Sequence, residues 1–348
     1  MLFNCLSRAL ALLSFLIFHH SLLAADCNVA SSLIKSDKYE KAIAILDSCC
    51  QDQEIDCMNQ LAYCHYMLGR FPEAIEQYSK VRSIDSTNEE ATQQLGKIYS
   101  AQGRDGKAVL MYGQLVSSDS LNSFYWRQYA RKQMDMGAIE NAMSSYEKCL
   151  DLNSADQIAT SELSSLYLDL QIYQLADSLI QQGMQNDSQN LDLIRLGCRS
   201  AYMQKDYELL LDLLASVPEL SGDTGIYEMK MMGIAHFHLG HYGTSVSYLE
   251  PIVEEVQDKE AILFYLGMCY REIGHYPMSE SYYDKAIAAG ITDNLDSYLE
   301  HLAFVQFKQL YYEDAIVNYK KAYSMNSKPV ILYHLARCYD EMYFAERG

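Results

Sequence analysis

The chain has 348 residues, 49% hydrophobic and 21% charged, which is enough apolar side chain to bury a sizeable core and too much to leave it disordered. With 5 Pro and 17 Gly it is poor in the residues that punctuate hairpins, so its composition favours long helices and short loops. A formal net charge of -19 excludes nucleic acid and anionic lipid surfaces as partners, because both require clustered Lys and Arg.

The first element in chain order is a targeting segment. Arg8 precedes an apolar run from Ala9 to Phe18, and Leu23-Ala24-Ala25 places small residues ahead of Asp26. The run is shorter than the ~20 residues a spanning helix needs. Residues 1–25 therefore read as a secretory signal peptide, with a soluble mature chain starting at Asp26, no membrane insertion after cleavage, and a periplasmic or secreted destination. Cleavage removes Arg8 and no acid, leaving the mature chain more acidic still.

From residue 26 onward the chain repeats itself at an interval of about 34 residues. Ala74, Ala108, Ala142 and Ala176 share one column, Tyr78, Tyr112 and Tyr146 a second, Gly69, Gly103 and Gly137 a third, and Ser86, Ser120, Ser154 and Ser188 a fourth. Apolar residues at three- and four-residue spacing flank each Gly, as in Leu95, Ile98 and Tyr99 before Gly103 and Val109, Tyr112 and Leu115 after it. Each unit is thus a helix, a turn that needs a left-handed residue, and a second helix. The recurring Ala lets the two helices approach closely. Asp85-Ser86, Asp119-Ser120, Asn153-Ser154, Asp187-Ser188 and Asn326-Ser327 are expected to cap the helix that follows them.

Trp126, Tyr129, Ala130, Gly137, Ala142 and Tyr146 in one copy, and Leu266, Gly267, Tyr270, Gly274, Tyr276, Tyr283 and Ala286 in another, resemble the tetratricopeptide repeat family across nearly all of the mature chain. The family's usual Pro before the next repeat is replaced here by Ser or another residue. The resemblance implies an all-α fold, a right-handed superhelical solenoid of stacked helix-turn-helix units, and a protein-binding scaffold or adaptor rather than an enzyme. Six repeats are expected in 26–217, placed around Tyr39, Phe71, Ala108, Ala142, Tyr173 and Tyr207. Three more, around Tyr242, Tyr276 and Tyr312, fall in 227–348 and are followed by a tenth first helix at Pro329–Met342. Residues 218–226 between them hold Pro218, Ser221, Gly222, Asp223 and Gly225, and read as a longer loop or a hinge.

The resemblance also implies that the first helices line a concave groove. Their exposed stripe would carry Phe124, Arg127, Arg131, Arg195, Arg199, Tyr202, Tyr227, Lys230, Phe237, Phe264 and Arg271. Arginine forks and aromatic anchors suit an acidic peptide or protein segment. In that binding reading exposed stripe residues such as Arg195 and Arg199 are expected not to hold the helices together; the competing reading is that these arginines only pair with neighbouring acids on a solvated face, where each pair adds little stability. A different function, self-association of a structural envelope solenoid through its C-terminal face, is the alternative.

No phosphate loop, zinc-protease His pair or serine-nucleophile motif is present, and no cofactor is implied. His236, His238 and His241 are not expected to bind metal: i and i+2 point to different sides of a helix, and Gly240 ends that helix before His241. Cys149 and Cys198 take the place of small packing residues and read as buried thiols. Cys27 lies where a helical hairpin brings it near Cys49 and Cys50, and in an oxidising compartment it is expected to bond one of them.

Overall fold

The computed structural model describes residues 29–50, 54–217, 225–257, 259–290 and 294–345. Every regular element among them is helical. The chain divides in sequence at Leu166 and Tyr167 into two compact units. The first holds α1 (29–34), α2 (Tyr39–Cys49), α3 (Ile55–Met67), α4 (Phe71–Ile84), α5 (Glu89–Ala101), α6 (Asp105–Ser118), α7 (Ser123–Asp135) and α8 (Ile139–Leu152). The division falls inside α9 (Gln157–Asp169). The second unit continues with α10 (Tyr173–Asn186), α11 (Leu191–Met203), α12 (Tyr207–Ala215), α13 (Ile226–His238), α14 (Tyr242–Leu249), α15 (Lys259–Ile273), α16 (Tyr276–Ala289), α17 (Leu295–Lys308), α18 (Tyr312–Met325) and α19 (Pro329–Ala345). Residues 1–28, with the expected signal segment and Cys27, and 218–224, with most of the expected loop, lie outside the described residues.

Within each unit a helix packs on its sequence neighbours, and successive odd-numbered helices also touch, as α3 does α5 and α15 does α17. This is the layout of a repeat array, in which each hairpin buries its apolar face only against the next. Residues of the Ala column are fully buried, and Tyr78, Tyr112, Tyr283 and Tyr319 from the second helices are almost completely enclosed. What admits these rings is a small residue on the preceding first helix. A Cβ on Gly267 would stand 2.7 Å from the Tyr283 ring, and one on Gly96 3.1 Å from the Tyr112 ring. The period in the sequence is therefore a packing rule: a small residue on one helix receives a large ring from its partner.

The turn glycines adopt the left-handed backbone their column requires, with φ of +70° at Gly69, +65° at Gly103 and +72° at Gly137. Asp37, Gln171, Lys205 and Leu310 take the same conformation without being glycine. The helix caps differ from expectation. Asp85, Asp119, Asn153 and Asp187 accept from the backbone N–H two residues on, at 2.9, 3.1, 3.3 and 3.0 Å, closing the interhelical turn. The caps of the next helices are Asn88, Asn122, Asp156 and Asn190, which accept from the N–H groups of Ala91, Tyr125, Ala159 and Leu193. The Asn326 side chain instead donates to Asp296 at 2.8 Å. The turn is long enough that the first Asx residue is spent on closing it, and the residue three positions later begins the helix.

Candidate partner-binding face

All eleven stripe residues expected from the sequence lie on first helices: Phe124, Arg127 and Arg131 on α7, Arg195, Arg199 and Tyr202 on α11, Tyr227, Lys230 and Phe237 on α13, Phe264 and Arg271 on α15. The arginines are engaged with side chains about one repeat away. In the first unit Arg127 Nη1 donates to both carboxylate oxygens of Asp156 at 2.7 and 2.6 Å, and Arg131 Nε donates to Glu162 at 2.7 Å. In the second, Arg195 Nε and Nη2 grip Glu228 at 3.0 and 2.8 Å, and Arg199 donates to Asp169 at 2.5 Å. Arg271 donates to Glu272 and meets His301 Nδ1 at 2.6 Å.

These pairs differ in burial. Asp156 and Glu228 keep 7% of their side-chain surface, whereas Arg199 and Asp169 keep 39% and 57%. The expectation that Arg195 holds no helices together is corrected here: it is the partner of a buried carboxylate on α13. The partner acids carry the signal that sequence reasoning missed, because Asp156, Glu162 and Glu228 stand 29, 31 and 33 residues after their arginines.

The aromatic stripe residues do more packing than presenting. Phe264 stacks on Tyr298 at 4.3 Å, Phe237 lies edge-on to Tyr242 and Tyr265, and Tyr227 and Phe124 sit under the guanidinium groups of Arg195 and Arg127. Burial pushes the Tyr227 phenol up to about 12. Lys230 is half-buried, and Tyr202, the most open of the stripe aromatics, is 37% exposed.

Two pockets open beside these residues, one in each unit. The first, of about 570 Å³, is lined by Lys97 of α5, Arg131, Lys132 and Met134 of α7, and Glu162 of α9, with Tyr112 and Tyr146 among its walls. The second, of about 540 Å³, is lined by Arg271 of α15, Glu300, His301, Phe304 and Lys308 of α17, and His334 of α19. Among the described residues Lys97 and Lys308 have no ion-pair partner. Burial and the adjacent Arg271 push the His301 imidazole down to about 4, so at neutral pH it is uncharged and accepts from that arginine.

Elsewhere Cys149 and Cys198 are buried free thiols, raised by burial to about 11 and 12, and therefore inert. Cys50, expected among the partners of Cys27, instead bonds Cys57, with Cα atoms 5.6 Å apart. Cys50 follows the last residue of α2 and Cys57 lies in the first turn of α3, so the bond ties the end of one helix to the start of the next. The Cys49 side chain lies outside what the structure describes. No group of three or more His, Cys, Asp or Glu residues is placed to hold a metal ion among the described residues.

Residues 129–156, from the middle of α7 to the cap of α9, match the family model of the tetratricopeptide repeat. A solved structure shares this architecture over most of the chain. A tetratricopeptide repeat protein from Parabacteroides merdae superimposes with a TM-score of 0.50 at 16% identity, over 72% of this chain and 98% of its own. The fold is that of stacked tetratricopeptide repeats. Also similar are the C-terminal part of a repeat-containing protein from Cytophaga hutchinsonii (TM-score 0.49, 17% identity, 79% of this chain and 99% of that one) and Pseudomonas aeruginosa pilF (0.49, 19%, 61% and 97%). No curated protein matches the chain in sequence.

Proposed function

We propose that the protein is an exported, non-catalytic scaffold that holds an acidic protein or peptide partner against the exposed face of its first helices. The observation that carries this reading is the pair of open pockets on first helices, each containing a lysine free of ion pairs beside arginine and aromatic walls. Such a lysine, unlike the arginines already bonded to acids, has its charge available to a carboxylate from outside. Export is supported by the character of residues 1–25 and by the Cys50–Cys57 disulfide, which suits an oxidising compartment. Among the described residues no helix is long and apolar enough to cross a membrane.

The test is capture of partners from the native envelope fraction with the wild-type chain and with a Lys97→Glu, Lys308→Glu double variant. The partner should be lost from the variant while helical content stays the same; equal recovery by both chains would refute the pockets as its site. N-terminal sequencing of exported material should start at Asp26. Self-association is a second reading, favoured by the outward side of α19, where Leu332, Tyr333, Tyr339 and Tyr343 are 44%, 60%, 41% and 48% exposed. Light scattering separates the two, because a monomer at micromolar concentration removes the second.

A further inference from the structure

His236 and His241 converge although one lies on α13 and the other just ahead of α14. Gly240, with φ of +79°, reverses the chain at the end of α13, and the His241 N–H returns to the His236 carbonyl at 2.8 Å. That closure folds His241, the residue before α14, back over the last turn of α13. The two Nδ1 atoms end 3.4 Å apart, on the exposed side of the hairpin. The His236 ring is fixed from beneath by Tyr248 of α14, stacked at 5.6 Å and 8°. His238 takes no part: its ring stacks on Tyr207 at 4.3 Å. The sequence argument that i and i+2 diverge is correct for His236 and His238, and does not reach His241, because the left-handed turn replaces helical periodicity there.

From this geometry we propose that His236 and His241 form a two-imidazole chelate for a divalent transition ion of the Ni²⁺, Cu²⁺ or Zn²⁺ class. Two metal–nitrogen bonds of about 2.0–2.1 Å meeting at a tetrahedral angle separate their nitrogens by roughly 3.4 Å, the spacing the turn imposes. Imidazole is the donor these ions favour, and the chelate needs both rings neutral at the coordinating nitrogen. The remaining coordination positions fall to water, since no third His, Cys, Asp or Glu joins the pair among the described residues. Without metal, one ring donates to the other, and the ion replaces that single hydrogen bond by two bonds.

The experiment is a titration of the full chain with Ni²⁺ alone, in a background carrying His19→Ala and His20→Ala to remove the other adjacent pair. One ion should bind per chain. Affinity should fall about tenfold or more in either His236→Ala or His241→Ala, since each leaves a single donor and loses the effective concentration of the second. His238→Ala should leave it unchanged. Retained affinity in His241→Ala, or an equal loss in His238→Ala, would overturn the assignment, as would the absence of any binding by the parent chain. His241→Asn keeps a polar residue at the start of α14 and serves where the alanine variant alters circular dichroism.

Discussion

Arg127 and Arg199 make ion pairs of similar length and very different worth. Arg127 is held against Asp156, which keeps 7% exposure and also caps α9. Its removal leaves a carboxylate uncompensated out of water, a loss of about 3–5 kcal/mol. Arg199 and Asp169 are both open to solvent, and their pair contributes at most ~1 kcal/mol. Urea denaturation should therefore show Arg127→Ala strongly destabilised and Arg199→Ala nearly unchanged; similar losses would mean that burial does not rank these contacts. His301 adds a pH dependence. Its folded imidazole is held down to about 4 against 6.5 for the free group, so between those values the unfolded chain binds the extra proton. Stability from this site is complete above about pH 6.5 and is lost as pH falls toward 4, by a few kcal/mol at most. Replacing His301 by Phe removes the titrating group, and the slope of stability against pH across that window should flatten. The arginines were legible in the sequence and their partners were not, because the acids fall at 29, 31 and 33 residues rather than in one column.

At the scale of the hairpin, the repeat columns read from the sequence correspond to physical contacts. Second helices begin at Tyr39, Phe71, Tyr173, Tyr207, Tyr242, Tyr276 and Tyr312 because the turn before each is closed by a left-handed residue. Where that residue is Gly the turn showed directly; at Asp37, Gln171, Lys205 and Leu310 the unit was placed from the Tyr that opens the next helix, since nothing in those side chains marks a positive φ. The caps at Asn88, Asn122, Asp156 and Asn190 also keep the repeat interval and were passed over for the Asx residues three positions earlier. The turns supply a paired test. Gly137 has open space around its Cβ position, so Gly137→Ala suffers only the left-handed backbone and should cost about 1–2 kcal/mol. Leu310 is 68% exposed at φ 68°, so Leu310→Gly relieves strain while losing little packing, and should gain up to ~1 kcal/mol. Thermal melts of the two variants should move in opposite directions.

For the molecule as a whole, 46 acids face 27 bases, and the excess acts over a longer range than any of the pairs. At 0.01 M salt the screening length is about 30 Å, so like charges repel across several neighbouring repeats; at 0.15 M it is about 8 Å and the repulsion is confined to adjacent groups. The close pairs respond differently. Arg127–Asp156 and Arg195–Glu228, at 2.6 and 2.8 Å with largely buried carboxylates, are short against either length and keep most of their attraction. Exposed pairs such as Lys80–Glu76 weaken, but each contributes under ~1 kcal/mol. Salt thus removes the long-range repulsion while sparing the strongest contacts, and the melting temperature should rise between 0.01 and 0.15 M NaCl at pH 7. A fall over that range would mean that exposed ion pairs outweigh the repulsion from the net charge of -19. The same comparison on Arg127→Ala should show a rise at least as large, because that variant carries one more uncompensated negative charge for salt to screen.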